Sequence, residues 1–187
     1  MVSELYRKNK NQRDAYSSPW PKKEAIMIRI WEVVWTLFVR WLPKPFYRWH
    51  IFLLKLFGAH HPFIAPTARI YAPWLLTVGD RSCIATRSEI YNLGPVIIKE
   101  RVTIAQYAYI CNGSHDLSDN KLPLVVGDVV IDNDVFIGAR AIILPGLHLC
   151  RYSVVGAGAV LTQNTTDFGI YAGNPARFIK ERKIYGE

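Results

Sequence analysis

The stretch Ile131-Asp-Asn-Asp-Val-Phe-Ile137-Gly-Ala-Arg-Ala-Ile-Ile143-Leu-Pro-Gly-Leu-His-Leu149-Cys-Arg-Tyr-Ser-Val-Val155-Gly-Ala-Gly-Ala-Val-Leu161 carries an aliphatic residue at every sixth position. Neither the 3.6-residue period of a helix nor the alternation of a lone strand sustains a six. Short strands joined by turns around a three-sided prism do, with about 18 residues per coil and one aliphatic side chain pointing inward from each side. Upstream, Ile98, Ile104 and Ile110 keep the same step, and Val78, Ile84 and Ile90 precede them after a step of eight. β-branched side chains suit stacked strands. Small residues beside them, as in Val78-Gly-Asp, Ile137-Gly-Ala and Val155-Gly-Ala-Gly, are expected to let the backbone round the corners. The expected class is therefore mainly β, a parallel β-helix over 58–172.

The beat stops between Ile110 and Ile131, where Cys111-Asn-Gly-Ser-His-Asp116 opens a polar run. A loop is expected over 111–127. A closed prism has no concavity of its own, so a site belongs where something protrudes. An imidazole in that protrusion titrates near cellular pH and suits general-base work. Cys111 is read as a small packed thiol rather than a nucleophile.

Three scattered cysteines without a CxxC pair fit a reducing cytosol, and half of the 187 residues are hydrophobic, so a sizeable core is expected. The net charge of +8 is uneven: residues 1–57 hold 11 Lys/Arg against 4 Asp/Glu, and residues 58–187 hold 12 against 11. No nucleic-acid signature accompanies the basic segment, and anionic lipid headgroups are the better match. The first 25 residues lack the apolar core of a secretion signal, so the expected location is cytoplasmic, with peripheral contact at the inner face of the membrane.

Residues 1–57 read as a polar arm to residue 23 followed by two amphipathic helices. Ile26, Ile30, Val33, Leu37 and Trp41 line one face of the first, and Trp31, Trp35 and Phe38 widen it. Pro43 and Pro45 break it, and Phe46, Trp49, Leu53 and Leu56 line the second. Such helices over 24–57 either lie in a membrane interface or pack on the protein or a neighbouring subunit. A tail with a short helix is expected over 173–187.

Cys111-Asn-Gly-Ser-His-Asp116, Val135-Phe-Ile-Gly-Ala139, Ile143-Leu-Pro-Gly146, Val155-Gly-Ala-Gly-Ala-Val-Leu-Thr162 and Ala172-Gly-Asn-Pro-Ala-Arg177 together resemble the hexapeptide-repeat acyltransferases. Their order is similar to that of the galactoside, maltose and nodulation-factor O-acetyltransferases, and Tyr91-Asn-Leu-Gly-Pro95 adds a likeness to colanic-acid-biosynthesis acetyltransferases. The resemblance implies a left-handed coil, a homotrimer, acetyl-CoA as acyl donor, no metal, and a carbohydrate acceptor, and the basic, tryptophan-rich segment 1–57 adds the expectation of lipid-linked glycan precursors at the membrane surface. The resemblance implies His115 as general base and Asn92, Asp116 and Phe136 at the acceptor. For Asn92 the alternative is an asparagine stabilising a corner, and for Asp116 a turn cap. Around the donor it implies backbone at Ala139 and Ala157 against the pantetheine arm, the Thr162 hydroxyl, and Arg177 and Lys180 toward the phosphates. Phe136 stands where that branch often carries tryptophan, and Gln163 replaces a commonly basic residue.

A metal-dependent hydratase on the same prism, like the γ-class carbonic anhydrases, needs three imidazoles around one ion. His148 is the other histidine of the repeat region, and His60 and His61 precede it at a spacing unlike that triad. The rival of a different class is a non-catalytic trimeric scaffold at a membrane surface.

Overall fold

The computed structural model describes residues 7–8, 20–38, 40, 49, 52 and 63–185. From Phe63 the chain winds as a parallel β-solenoid with three faces. Face I stacks Phe63–Ile64, Cys83–Ile84, Thr103–Ile104, Phe136–Ile137, Val154–Val155 and Gly169–Gly173. Face II stacks Arg69–Ile70, Glu89–Tyr91, Tyr109–Cys111, Ile142–Ile143 and Val160–Leu161. Face III stacks Leu76–Val78, Val96–Ile98, Val129–Ile131 and His148–Leu149.

Every sixth-position aliphatic from the sequence pattern points inward and is buried, from Ile64 through Ile84, Ile104 and Ile137 to Val155 on face I. Burying each such side chain stabilises the fold by roughly 1.5–3 kcal/mol. The step of eight has a simple cause. Face III strands turn two residues inward per coil, as in Leu76 with Val78 and Val96 with Ile98.

Gly158 rounds its corner as expected, with a φ of 69°, but most corners are made differently. On the III–I edge Arg81, Arg101, Asp134, Tyr152 and Phe168 take left-handed backbone, and on the I–II edge Arg87, Tyr107 and Arg140 do, with φ between 55° and 64°. Each lies three residues ahead of an inward side chain. Such a conformation costs a non-glycine residue roughly 1–2 kcal/mol. The cost is offset by bonds from coil to coil, such as Tyr107 N to Thr86 O at 3.2 Å and Arg140 N to Gln106 O at 3.1 Å. Gly79 and Gly138 do not round these corners. A β-carbon on Gly138 would lie 2.5 Å from Ala157 N, and one on Gly79 2.6 Å from the Lys99 carbonyl carbon. They are small because the next coil's backbone passes over them.

The helix α1, Lys22–Phe38, covers the first coils. Trp31 is buried, donates its indole N–H to Ile70 O at 2.7 Å, and stacks at a tilt on Trp35 at 5.1 Å. Its packing face is Ile28, Trp31 and Trp35, so the sequence-derived stripe is reversed: Ile26, Ile30, Val33, Leu37 and Phe38 face outward. Two indoles fill the junction, one with its polar atom satisfied, where a narrow aliphatic ridge would not. The second expected helix and Trp41 lie outside the described residues, apart from Trp49 and Phe52, which are exposed.

The C-terminal segment is a strand, not the expected short helix. Ala176–Glu181 pairs antiparallel with Gly169–Gly173. The last strand of a solenoid has an open edge, and this pairing covers it.

Candidate functional site

The solenoid is interrupted on its II–III edge. After Cys111 the chain leaves the coil, forms a hairpin of Gly113–His115 against Leu124–Val126, and rejoins where Gly127 N donates to Asn112 O at 2.9 Å. Val129 then stacks on Val96 as though nothing had intervened. The root is held by Asn112, which is fully buried. Its Oδ1 accepts from Leu93 N at 2.7 Å and Gly94 N at 3.2 Å, and its amide donates to Gly94 O at 2.6 Å. Leu93, Leu124 and Val126 form a small apolar cluster beside it, with Trp20 and Tyr91 packed on the outside. Arg7–Lys8 of the polar arm adds a third strand along Val125–Val126.

His115 ends the first hairpin strand and is exposed. Its Nδ1 lies 2.6 Å from Leu122 O. A carbonyl oxygen only accepts, so in the neutral ring Nδ1 carries the proton and Nε2 keeps its lone pair. Leu122 has a φ of 47°, a left-handed backbone outside the prism corners, and that conformation aims its carbonyl back at the ring. Strain of this kind gathers where a functional group must be held. Asp116 accepts from Ser118 N at 3.0 Å and Ser118 Oγ at 2.5 Å, and Asp119 Oδ1 accepts from Lys121 N at 2.9 Å. Two Asx-type turns therefore shape the tip. Asp116 Oδ1 is thus used in building the turn.

Asn92 corrects the corresponding expectation. It is fully buried, with Oδ1 accepting from Ala72 N at 3.0 Å and Nδ2 donating to Ala72 O at 2.6 Å. Both ends of the amide are consumed by a corner, one coil before Asn112 does the same work, and none of it reaches an acceptor. Phe136 projects from face I and is 40% exposed.

The residues expected at the acyl donor lie elsewhere on the prism. Ala139 and Ala157 occupy successive turns of the I–II edge, joined by Gly158 N donating to Ala139 O at 2.8 Å. Thr162, Arg177 and Lys180 are all exposed, the last two on the terminal strand of face I. One protomer thus keeps His115 on the II–III edge and Ala139 and Ala157 across face II from it, while Thr162 follows the last face II strand on the His115 side and Arg177 and Lys180 lie on face I.

Other candidates are accounted for. The Cys111 thiol donates to Gly113 O at 3.0 Å within its own turn, and burial pushes the Cys83 and Cys150 thiols up. His148 Nε2 lies 2.9 Å from Asp132 Oδ2, and no group of three metal-ligating side chains exists among the described residues. His60 and His61 lie outside them. Beneath α1 a cavity of about 520 Å³ is lined by Trp31, Trp35, Arg69, Tyr71, Arg87 and Glu89, among others. Leu122, Asn112 and this cavity have no counterpart in the sequence reading. Only Asn112 left a trace, its 20-residue spacing from Asn92.

Residues 128–163 match the model for the hexapeptide repeat of succinyl-transferases. WcaF of Escherichia coli K12, which carries the name colanic acid biosynthesis acetyltransferase, is 32% identical over 161 residues, covering 84% of this chain and 88% of its own. A maltose O-acetyltransferase from Clostridium difficile superposes with a TM-score of 0.77 at 23% identity, covering 88% of this chain and 90% of its own. A hexapeptide-repeat acetyltransferase from Vibrio cholerae, solved with acetyl coenzyme A, gives 0.77 at 22% identity, covering 87% and 91%. At those identities the two structures speak to the fold.

Proposed function

We infer the activity from a premise the relatives supply: the chain belongs to the hexapeptide-repeat acetyltransferases and is an acetyltransferase. The reading that fits best is transfer of an acetyl group from acetyl-CoA to a sugar hydroxyl during assembly of a bacterial exopolysaccharide or cell-surface glycan. The colanic-acid name of the Escherichia coli relative and the acetyl-CoA in the Vibrio relative support the acceptor class and the donor.

One observation carries the chemistry. Because Leu122 O fixes the proton on Nδ1, Nε2 of His115 is a ready acceptor on an exposed loop. Nε2 takes the proton of the acceptor hydroxyl as its oxygen attacks the thioester carbonyl. The C–S bond then breaks, and the imidazolium returns that proton to the departing sulfur. No acyl-enzyme is needed when both substrates are held together. The turns at Ala139 and Ala157 offer backbone to the pantetheine arm, Thr162 offers a hydroxyl, and Arg177 and Lys180 offer cations to the nucleotide phosphates. Phe136 offers the sugar an apolar platform.

Since the base and the pantetheine turns at Ala139 and Ala157 sit on different edges, the working site joins the hairpin of one protomer to the I–II edge of another. A homotrimer closes such contacts in a ring. No described helix is long and apolar enough to cross a membrane. The outward face of α1 together with the basic surplus of residues 1–57 suits peripheral contact with anionic lipid instead. Co-sedimentation with anionic vesicles, lost on Ile30→Glu with Leu37→Glu, is the expected result, and unchanged binding counts against the contact.

The experiment for the activity is thiol release from acetyl-CoA in the presence of glycan acceptors, with detection of the ester product. His115→Ala is expected to lower kcat by about 10²–10⁴-fold. Equal rates would remove the base.

A further inference from the structure

The I–II edge presents a row of side chains with no assigned role. Arg87 Nη1 donates to the Tyr107 hydroxyl at 3.0 Å, and its guanidinium lies 5.8 Å from that ring's centroid. The Arg140 guanidinium lies 5.6 Å from the same centroid. Two cations therefore flank one half-exposed tyrosine, and the three residues come from successive coils of one edge. Several exposed cations elsewhere on the prism are matched with acids, as Lys99 is with Asp132, Arg101 with Asp134 and Glu100, and Arg151 with Asp167. Among the described residues Arg87 and Arg140 form no ion pair. Two like charges gathered on one ring and left without a counter-ion call for an anion from outside.

The row is continuous in both directions. At its upper end Arg87 lines the 520 Å³ cavity under α1, a volume within the usual range for small-molecule sites. The acids of that cavity are engaged: Glu32 by Arg69 at 3.3 Å, and Glu89 by the Tyr71 hydroxyl, whose pKa burial and this neighbour push up to about 12. At its lower end Arg140 directly follows Ala139. Coils stack at about 4.8 Å, so Arg87 stands two coils, roughly 10 Å, above the Ala139 turn. That is the length of one to two sugar rings.

We propose that the cavity under α1 and the Arg87–Tyr107–Arg140 row form the acceptor subsite, and that the acceptor is an acidic saccharide. Its carboxylate or phosphate sits between the two guanidinium groups, a ring stacks on Tyr107, and the neighbouring sugar presents its hydroxyl near Ala139. The proposal rests on the acyl-transfer reading for which end of the row faces the donor; the binding of an acidic sugar does not. Arg177 and Lys180, at the opposite end of the solenoid, are the cations left for the donor phosphates.

Binding is measured on His115→Ala protein, where turnover does not intervene, with three probes: a disaccharide ending in a uronic acid, its neutral counterpart ending in the hexose, and a hexose phosphate. The uronic-acid or the phosphate probe is expected to bind at least tenfold more tightly than the neutral sugar, and whichever does so identifies the source of the charge. Arg140→Gln and Arg87→Gln are each expected to bring that ratio close to one while leaving the Kd for coenzyme A unchanged. Equal binding of charged and neutral probes, or no binding of any, overturns the proposal. So does a weakened Kd for coenzyme A in the arginine variants, which would make the row part of the donor site. Charge-selective binding without thiol release by the wild-type protein would overturn the acetyl-transfer reading and leave the subsite standing.

Discussion

Two edges of the same prism are built on opposite plans. The I–II edge repeats one four-residue turn, with left-handed backbone at Arg87, Tyr107, Arg140 and Gly158 and a bond from each to the coil before. The II–III edge is irregular: a 3-10 turn at Pro73–Leu75, buried asparagine clamps at Asn92 and Asn112, the second carrying the hairpin, then a turn through Gly146. Repetition yields a straight line of turns suited to elongated ligands. Irregularity yields one projecting group whose direction is fixed. If the proposed function holds, the difference teaches that the fold supplies a track on one edge and a reagent on another.

If the division is sound, stability and activity are separable. Ile104→Ala empties a core position and is expected to cost about 2–5 kcal/mol, seen as a lower Tm with kcat per folded molecule retained. His115→Ala is expected to leave Tm unchanged. An equal loss of stability in both variants would erase the distinction.

The hairpin can be probed at its strained residue. Leu122→Gly accepts a φ of 47° and keeps the carbonyl in place, so activity within about threefold of wild type is expected. Leu122→Val resists that conformation and is expected to lose about tenfold in kcat with little change in the KM for acetyl-CoA. The same rate for both variants would show that Leu122 O does not hold the ring.

Glycines on the regular edge give a smaller contrast. Gly138→Ala forces a methyl against Ala157 N and is expected to destabilise by about 1–3 kcal/mol. Arg81→Gly, by relieving a left-handed residue, is expected to be neutral or stabilising by under about 1 kcal/mol. Denaturant midpoints compare the two, and a reversed order would refute the account of the corners.

The smallest effect is electrostatic. The Arg101 guanidinium, hydrogen-bonded to Asp134 at 2.7 Å, holds that carboxyl below the usual range. A lowered folded pKa contributes stability above the unfolded value, and that contribution is lost as pH falls through the folded one. Asp134→Asn is therefore expected to lower Tm slightly at neutral pH, by an amount that shrinks as pH falls below the ordinary carboxylate range.

How far the sequence was legible follows the same division. Ile131 through Leu161 spelled out the prism because inward packing repeats at a fixed step, and one aliphatic per side is a local demand. His115 stood out because an imidazole broke that rhythm. Asn92 was misread, since an amide buried against Ala72 and one facing a ligand look alike in sequence. The left-handed turns were assigned to glycines, although arginine and tyrosine take them where the next coil supplies a bond. The face of α1 was reversed because its apolar residues surround most of the helix, and only the Ile70 carbonyl decides which side Trp31 turns inward. Leu122 carried no signal, because nothing local marks a leucine for positive φ.

The claim on which the rest depends is that the track and the reagent come from different copies of the chain. His115→Ala subunits lack the base, and Ala157→Trp subunits fill the donor turn, so each preparation alone is expected to be nearly inactive. Co-assembled in equal amounts, they should recover about a quarter of wild-type acetyl transfer, because one interface in four joins an intact hairpin to an intact edge. A mixture no more active than its parents would contradict the account.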